Sequence, residues 1–491
     1  MSPLHPIATI LILALLLAAS AQASGAIINV APGVSEITAD GECSLAEAIN
    51  NANANAQVDN ADCVAGDPGV DTIVLASGSI YVLDTALPVV TSEMLIEGNG
   101  SVLERNDFIA CVPDGTLAPG EFRILTQIGG FLQVRDLTLS NGCADGAMSA
   151  SSDGAGIRVD DGTLTLIRVV IKNNLSWDKS GAVDATNATV EIIDSILRNN
   201  HAGFGGGAIG NDTTATMTIS GSTFGNNTAS GFGGAGIGNR GDLTLVNVTI
   251  TGNSDNGGGG VGGGGIANAG TVTIRNSIVA NSSNGGDCVS VMGTFSAVDE
   301  NLDTDGSCNA LEAGFMTTTP LALALEPLAA NGGPTPTHRP GSGSPANDAI
   351  ATCLNDGNEL TVDQRGFPRP RAGGCDLGVL EGIVATLSVE VTGPGVVDAG
   401  ALPAPESGGV TGCDESGSGQ AACTAVYVEG SNEGITLDLA PDPGSGIDSI
   451  SGCDGELAGT TYTIARLSMN CTMTVVFAPV TDDIFADNFE G

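Results

Sequence analysis

The stretch GGAIGNDTTATMTISGSTFGNN, residues 206–227, decides the fold. Small residues lead to the apolar anchor Ile209, and the stretch ends on Phe224-Gly225-Asn226-Asn227. The anchor recurs as Ile157, Val183, Ile209, Ile237 and Ile266, at spacings of 26, 26, 28 and 29 residues. Each copy is followed by a short alternating strand, as in Leu243, Leu245 or Val272, Ile274, and then by an apolar residue leading into Asn, as in Ile171-Lys172-Asn173-Asn174. A repeat of this length with period-two strands and no helical period predicts one turn of a parallel β-helix per copy. Successive turns then stack at ~4.8 Å, and equivalent side chains form columns. Asn173, Asn199 and Asn226 are the expected Asn ladder, satisfying buried turn carbonyls from coil to coil.

The coils begin before the clear repeats. Strand-like runs at 72–75, 80–83, 94–96 and 122–125 come first, and Leu132, Val134, Leu137 and Leu139 align with Leu164, Leu166, Val169 and Ile171. The expected fold is all-β: a right-handed parallel β-helix over 72–325, with an N-terminal cap over 24–71. In the cap, Leu45, Ala48 and Ile49 share one face of a short helix that Ser44 caps and Glu47 completes as an S-x-x-E box. A closing segment is expected over 326–383, a small disulfide-containing β domain over 384–480 and an acidic tail over 481–491. The tail reads equally as a sorting tag or a disordered end.

Residues 1–23 carry an apolar run from Ile7 to Ala19 and end in Ala21-Gln22-Ala23, which reads as a signal peptide cleaved between Ala23 and Ser24. Its first residues lack Lys and Arg, and the apolar run is shorter than the ~20 residues that span a bilayer. Export makes the twelve cysteines a disulfide framework. They fall into neighbouring pairs: Cys43 and Cys63, Cys111 and Cys143, Cys288 and Cys308, Cys353 and Cys375, Cys413 and Cys423, Cys453 and Cys471. A local disulfide of this kind contributes about 2 to 4 kcal/mol. There is no C-x-x-C, and His5, His201 and His338 lie far apart, so a zinc site is not expected.

With 56 acidic against 15 basic residues the formal charge is -41, which repels nucleic acid, anionic membranes and polyuronates. Carboxylates and carbonyls suit calcium, but no D-x-D-x-D-G loop or tandem G-G-x-G-x-D nonapeptide is present. Calcium is thus only a weak expectation, and no other cofactor is expected.

Four resemblances add to this reading. Cys43-Ser44-Leu45-Ala46-Glu47-Ala48 resembles the opening of the CSLREA family of exported bacterial proteins, with Ala46 where that family has Arg. Gly206-Gly207-Ala208-Ile209 and Phe224-Gly225-Asn226-Asn227 resemble the GGAI and FxxN motifs of polymorphic outer-membrane protein repeats, a surface-exposed β-helix group. The ordered set 331–338, 344–348, Asp363-Gln364-Arg365-Gly366 and Cys375-Asp376-Leu377-Gly378 resembles the choice-of-anchor Q domain, which follows β-helix coils in secreted bacterial proteins. The C-terminal strands and their Gly-Cys pair resemble the divergent InlB B-repeat, with Ile450-Ser451 where an aromatic is usual. Together they imply a secreted or surface-exposed, adhesin-like bacterial protein, in the outer membrane or beyond it.

Chemistry is harder to find. A parallel β-helix often carries a sugar groove on a lateral sheet, where a lyase or glycosidase needs paired carboxylates or a calcium cluster beside a base. Asp160-Asp161 is the best adjacent pair, but Gly162 follows and the repeat places it in a turn. Asp363 and Arg365 read as a salt-linked turn closing the last coil rather than a catalytic pair. One Trp and three Tyr leave few stacking platforms for sugars, and Trp177 sits between coils, either exposed to a sugar or plugging a lateral loop. His201 and His338 lie in Gly- or Pro-rich turns with no G-x-S-x-G elbow. No catalytic, cofactor-binding or metal-binding residue is therefore assigned.

The function expected from sequence is non-catalytic adhesion or extracellular contact, with glycan, matrix or a cell-surface protein as partner. The alternatives are a carbohydrate-active enzyme on a lateral sheet and a structural spacer. Three carboxylates with a Lys or Arg in one groove would favour the enzyme.

Overall fold

The computed structural model describes residues 25–480, apart from 60, 109, 113, 147–151, 232, 258–261, 342, 352, 356–357, 360, 371–373, 383, 401–404, 406, 416–422, 429–432 and 468–470. The segment 1–24, where a signal peptide cleaved between Ala23 and Ser24 is expected, and the expected acidic tail 481–491 lie outside the described residues.

One coil shows the rule for all of them. Ile157–Asp160, Thr163–Ile167, Val170–Lys172 and Leu175–Ser176 are four short strands running round the axis. Each pairs in parallel with its counterpart 26 residues on. Repeated along the chain they build four walls. The first has seven strands, from Leu125–Ile128 to Cys288–Ser290, and the fourth has five, from Cys143–Ala144 to Ser254–Asp255. The second and third bend into one another as a single 18-stranded sheet. This is a parallel β-helix, as the repeat predicts.

The column that decided the sequence reading is present. Ile157, Val183, Ile209, Ile237 and Ile266 are register partners in turn, each fully buried. Leu125 and Cys288 extend the column at its two ends. Because side chains alternate along a strand, one residue in each pair of neighbours feeds the core and the other faces out. Inside, Leu164, Val190, Met217, Leu243 and Val272 stack on the second wall, all within one apolar cluster.

The Asn ladder is real but displaced by one residue. Asn173, Asn199 and Asn226 are exposed, and their φ values of 57, 54 and 55° mark left-handed turn residues, a conformation Asn tolerates better than other non-glycine residues. The buried ladder is Asn174, Asn200, Asn227 and Asn253. Each of the first three passes a side-chain N–H to the next residue's Oδ1, at 2.9 to 3.0 Å. Asn200, Asn227 and Asn253 also donate to the carbonyls of Ile171, Leu197 and Phe224. The first Asn of each pair thus turns the chain and the second satisfies the turn. A second ladder, Asn211, Asn239 and Asn268, does the same work between the first and second walls.

At the N-terminal end, helix Leu45–Ala54 adds Leu45, Ala48 and Ile49 to the core cluster. Its capping box is formed: the Glu47 amide donates to Ser44 Oγ at 3.2 Å and the Ser44 amide to Glu47 Oε2 at 2.9 Å. Six disulfides join the neighbouring cysteine pairs, Cys43–Cys63, Cys111–Cys143, Cys288–Cys308, Cys353–Cys375, Cys413–Cys423 and Cys453–Cys471.

Residues 326–381 are placed differently from expectation. They lie along the outside of the third wall rather than over the last coil. Gln364 donates to the Ser195 carbonyl and accepts from Thr223 Oγ1, Thr335 Oγ1 donates to the Asp194 carbonyl, and the Gly378 amide donates to the Asn276 carbonyl. The outward residues Ile196, Thr223, Thr249 and Ile278 of that flank are buried, and Ile278 clusters with Ile350, Cys375 and Leu377 of the strap. The turn at Asp363 and Arg365 is salt-linked, with Arg365 Nη2 2.6 Å from Asp363 Oδ2 and both side chains fully buried.

Residues 384–480 form two sheets of five and four strands with a separate core of Leu387, Tyr427, Leu437, Ile464 and Val475. All pairings are antiparallel except that of Val384–Thr392 with Cys471–Pro479.

Candidate functional site

The residue after each anchor must point outward, and on the first wall these residues change chemistry along the axis. In register they read Arg158, Asp184, Gly210, Gly238, Ala267 and Val289. One end is charged, the middle has no side chain, and the far end is apolar. Over the bare middle lies a cleft of about 430 Å³. Lys179, Phe204 and Gly233 border it on the side of the Gly-rich turns. Asp212, Arg240 and Ala269 border it on the other, and Val291 and Met292 close the apolar end.

The floor requires glycine. A Cβ on Gly210 would fall 2.1 Å from Ser180 Oγ and 3.0 Å from Asp184 Oδ1, and one on Gly238 would fall 3.1 Å from the Gly206 amide nitrogen. The cleft therefore exists because two successive outward positions carry nothing, and because Ser180 and Asp184 lean over the first of them.

At the charged end, Arg158 gathers three carboxylates. Its Nη1 is 3.1 Å from Asp153 Oδ2 and 3.3 Å from Asp184 Oδ2, while Nε and Nη2 hold the two oxygens of Asp160 at 2.9 and 3.1 Å. Asp153 also accepts from the Lys179 amide at 3.1 Å, and Asp184 from Ser180 Oγ at 2.9 Å. Burial raises the Asp184 pKa to about 7, Asp153 adds repulsion in the same direction, and Arg158 opposes both. Burial likewise raises Asp153. Burial lowers neighbouring Arg123 to about 10, with the repulsion of Arg158 as the second cause. Of this group only Asp184 and Lys179 line the cleft, where Lys179 Nζ stands 3.9 Å from Asp212 Oδ2.

The arrangement has two chemical consequences. Three carboxylates converging on one point would suit a cation, but the point is taken by a guanidinium. Among the described residues no group of three or more His, Cys, Asp or Glu could hold a metal ion. A carboxyl at the cleft floor whose pKa burial raises toward neutrality has the first property of a proton donor, yet it is tied to Ser180 and Arg158.

The residues weighed from sequence lie elsewhere. Asp160 serves Arg158, whereas Asp161 is an exposed turn residue with φ 54°. Trp177 is half-buried beside Gly115, where a Cβ would come within 3.3 Å of its ring, so it packs under the loop tied by Cys111–Cys143. His201 Nδ1 pairs with Thr228 Oγ1 and His338 Nδ1 with the Glu326 carbonyl, both at 2.8 Å, and burial lowers the pKa of each. Asp363 and Arg365 belong to the strap on the third wall. Sequence reasoning missed Arg158, Asp184, Gly210 and Gly238, although a signal was present. Each directly follows a recognised anchor, so its outward direction was already fixed.

No protein family, curated protein or solved structure matches this chain.

Proposed function

We propose that this chain is an extracellular contact protein of bacterial type that binds an extended, uncharged glycan along the first-wall cleft without cleaving it. The single observation that carries the reading is the commitment of Asp153, Asp160 and Asp184 to Arg158 beside a floor stripped of side chains. A glycine floor lets a chain-like ligand approach the backbone closely, and locked carboxylates keep their protons from the ligand. Charge supports an uncharged ligand, because a chain of net charge -41 repels polyanions while offering few free cations. Six disulfides fit an oxidising location, and no helix among the described residues is long and apolar enough to cross a membrane. Export through residues 1–23, membership of the CSLREA and polymorphic outer-membrane protein groups, a choice-of-anchor Q strap and a B-repeat-like C-terminal module belong to the same proposal.

A second reading, a carbohydrate-active enzyme, is favoured by one fact: the Asp184 carboxyl, with its pKa at about 7, lines the cleft. Three carboxylates and an arginine are indeed close together. However, Asp153, Asp160 and Arg158 do not line the cleft.

One experiment separates the two. The chain is applied to a glycan array and incubated with neutral polysaccharides, and polymer length is followed by size-exclusion chromatography. Retention without shortening is expected. Shortening that disappears in Asp184→Asn would replace the binding reading with the enzyme.

A further inference from the structure

The second wall carries a surface that the cleft does not use. Its outward positions form two ranks over six coils, one from Thr163 to Thr294 and one from Thr165 to Ser296. Ten of the twelve positions are Thr or Ser, interrupted only by Asp242 and Glu191. Pairing runs through all six coils in unbroken register, the shift on this wall lying earlier, between Glu97 and Ser101. No hydrogen bond within the described residues uses any of these side-chain hydroxyls.

We propose that this plane binds the prism face of ice. Register fixes one spacing of the hydroxyls at ~4.8 Å between coils and the other at ~6.6 Å along each strand, two residues of ~3.3 Å. The inter-coil spacing lies close to one repeat of the oxygen rows on that crystal face, and the along-strand spacing falls short of the other by roughly a tenth, which two ranks tolerate because they span it only once. A dissolved molecule could engage only a few of these groups, and each exchange of water for a new partner gains little. A crystal engages all of them at once. Threonine is suited to this because branching at Cβ stiffens its first torsion, so little ordering remains to be done when the lattice docks. Each threonine also adds a methyl beside its hydroxyl; the next rank along the strands is mixed, reading Ile167, Ile193, Ser220, Val246 and Arg275.

The face excludes other occupants by what it lacks. Neither rank holds an aromatic ring for sugar stacking or a cation for phosphate over these six coils. Strand propensity alone favours Thr; what sets this wall apart is that its hydroxyl ranks stay uncovered, whereas Ile196, Thr223, Thr249 and Ile278 on the third wall are buried.

The test uses the purified full chain in a nanolitre osmometer, reading crystal shape and the gap between melting and growth temperatures. Faceted crystals and a measurable gap are expected, both lost in Thr218→Tyr/Thr244→Tyr with the unfolding midpoint unchanged. Should that double variant unfold, Thr244→Lys is read in the same way. Unfaceted growth with the wild type, or full activity in the folded variant, overturns the proposal. Ala267→Leu, on the first wall, leaves ice shaping intact, so failure here and failure of glycan binding are separate results.

Discussion

Replacing Asn200 by Ala should damage the protein far more than replacing its neighbour Asn199 by Gly. Asn200 Oδ1 accepts from the Asn174 amide at 3.1 Å and from Asn174 Nδ2 at 2.9 Å, and Asn200 Nδ2 donates to the Ile171 carbonyl and to Asn227 Oδ1, both at 3.0 Å. All of these groups are buried among coils, with Asn200 itself only 1% exposed. An alanine leaves the Asn174 amide without its acceptor and weakens the support of the carbonyl, and each orphaned buried group costs roughly 1 to 3 kcal/mol. A loss of about 2 to 5 kcal/mol follows, allowing for water entering the gap. Asn199 is exposed with φ 54°, so glycine there keeps the left-handed turn at no steric cost, and the change should stay within about 0.5 kcal/mol. Urea unfolding followed by circular dichroism compares the two directly. Equal midpoints for Asn200→Ala and Asn199→Gly would refute the ladder argument, since two adjacent asparagines would then be interchangeable.

Asp184 gives a pH prediction. Its pKa rises to about 7 on folding from an unfolded value near 3.8, so the native state holds more protons than the unfolded state between those values. This group therefore removes stability as pH climbs from 4 to 7. Asp184→Asn should flatten that part of the curve and be the more stable protein at pH 8, as melting temperatures across pH would report. Ala267→Leu should fill the cleft from its apolar end and abolish glycan retention, and since Ala267 is only 8% exposed a loss of stability of about 1 to 3 kcal/mol from overpacking is expected, read from urea unfolding. Gln364→Ala removes bonds to the Ser195 carbonyl, Thr223 Oγ1 and Thr335 Oγ1, and should speed limited proteolysis within 326–381 while the coils stay folded.

Much of the fold was legible because the core demands the same residue in every coil. Ile209, Ile237 and Ile266 could be recognised by repetition alone, since each is shielded by the next and any polar substitute would bury an unsatisfied group. The capping box at Ser44 and Glu47 is local and was equally readable. The Asn ladder was half legible: the sequence marks the pair Asn-Asn, but which member turns and which is buried depends on the direction of one Cα–Cβ bond. The strap was misplaced because nothing local distinguishes packing on a flank from packing on an end. Arg158 and Asp153 could not be joined from sequence at all. They are five residues apart in the chain, yet they meet Asp184 only because the coil brings the next turn alongside.

Inward positions repeat because every coil faces the same neighbours, and outward positions are free to differ because each wall faces something else. That freedom gives the first-wall cleft a direction. Lys179 and Asp184 make one end polar, while Ala267, Val291 and Met292 make the other apolar, with Met292 68% exposed. A ligand with a polar and an apolar end can lie along this floor in one orientation without stranding a hydroxyl against Met292 or a methylene against Asp184. Asp184, held by Ser180 Oγ and Arg158, then acts as a fixed polar stop at the end of the cleft. Three carboxylates against one guanidinium leave that end of the wall negative, so it accepts a neutral chain and repels a polyanion.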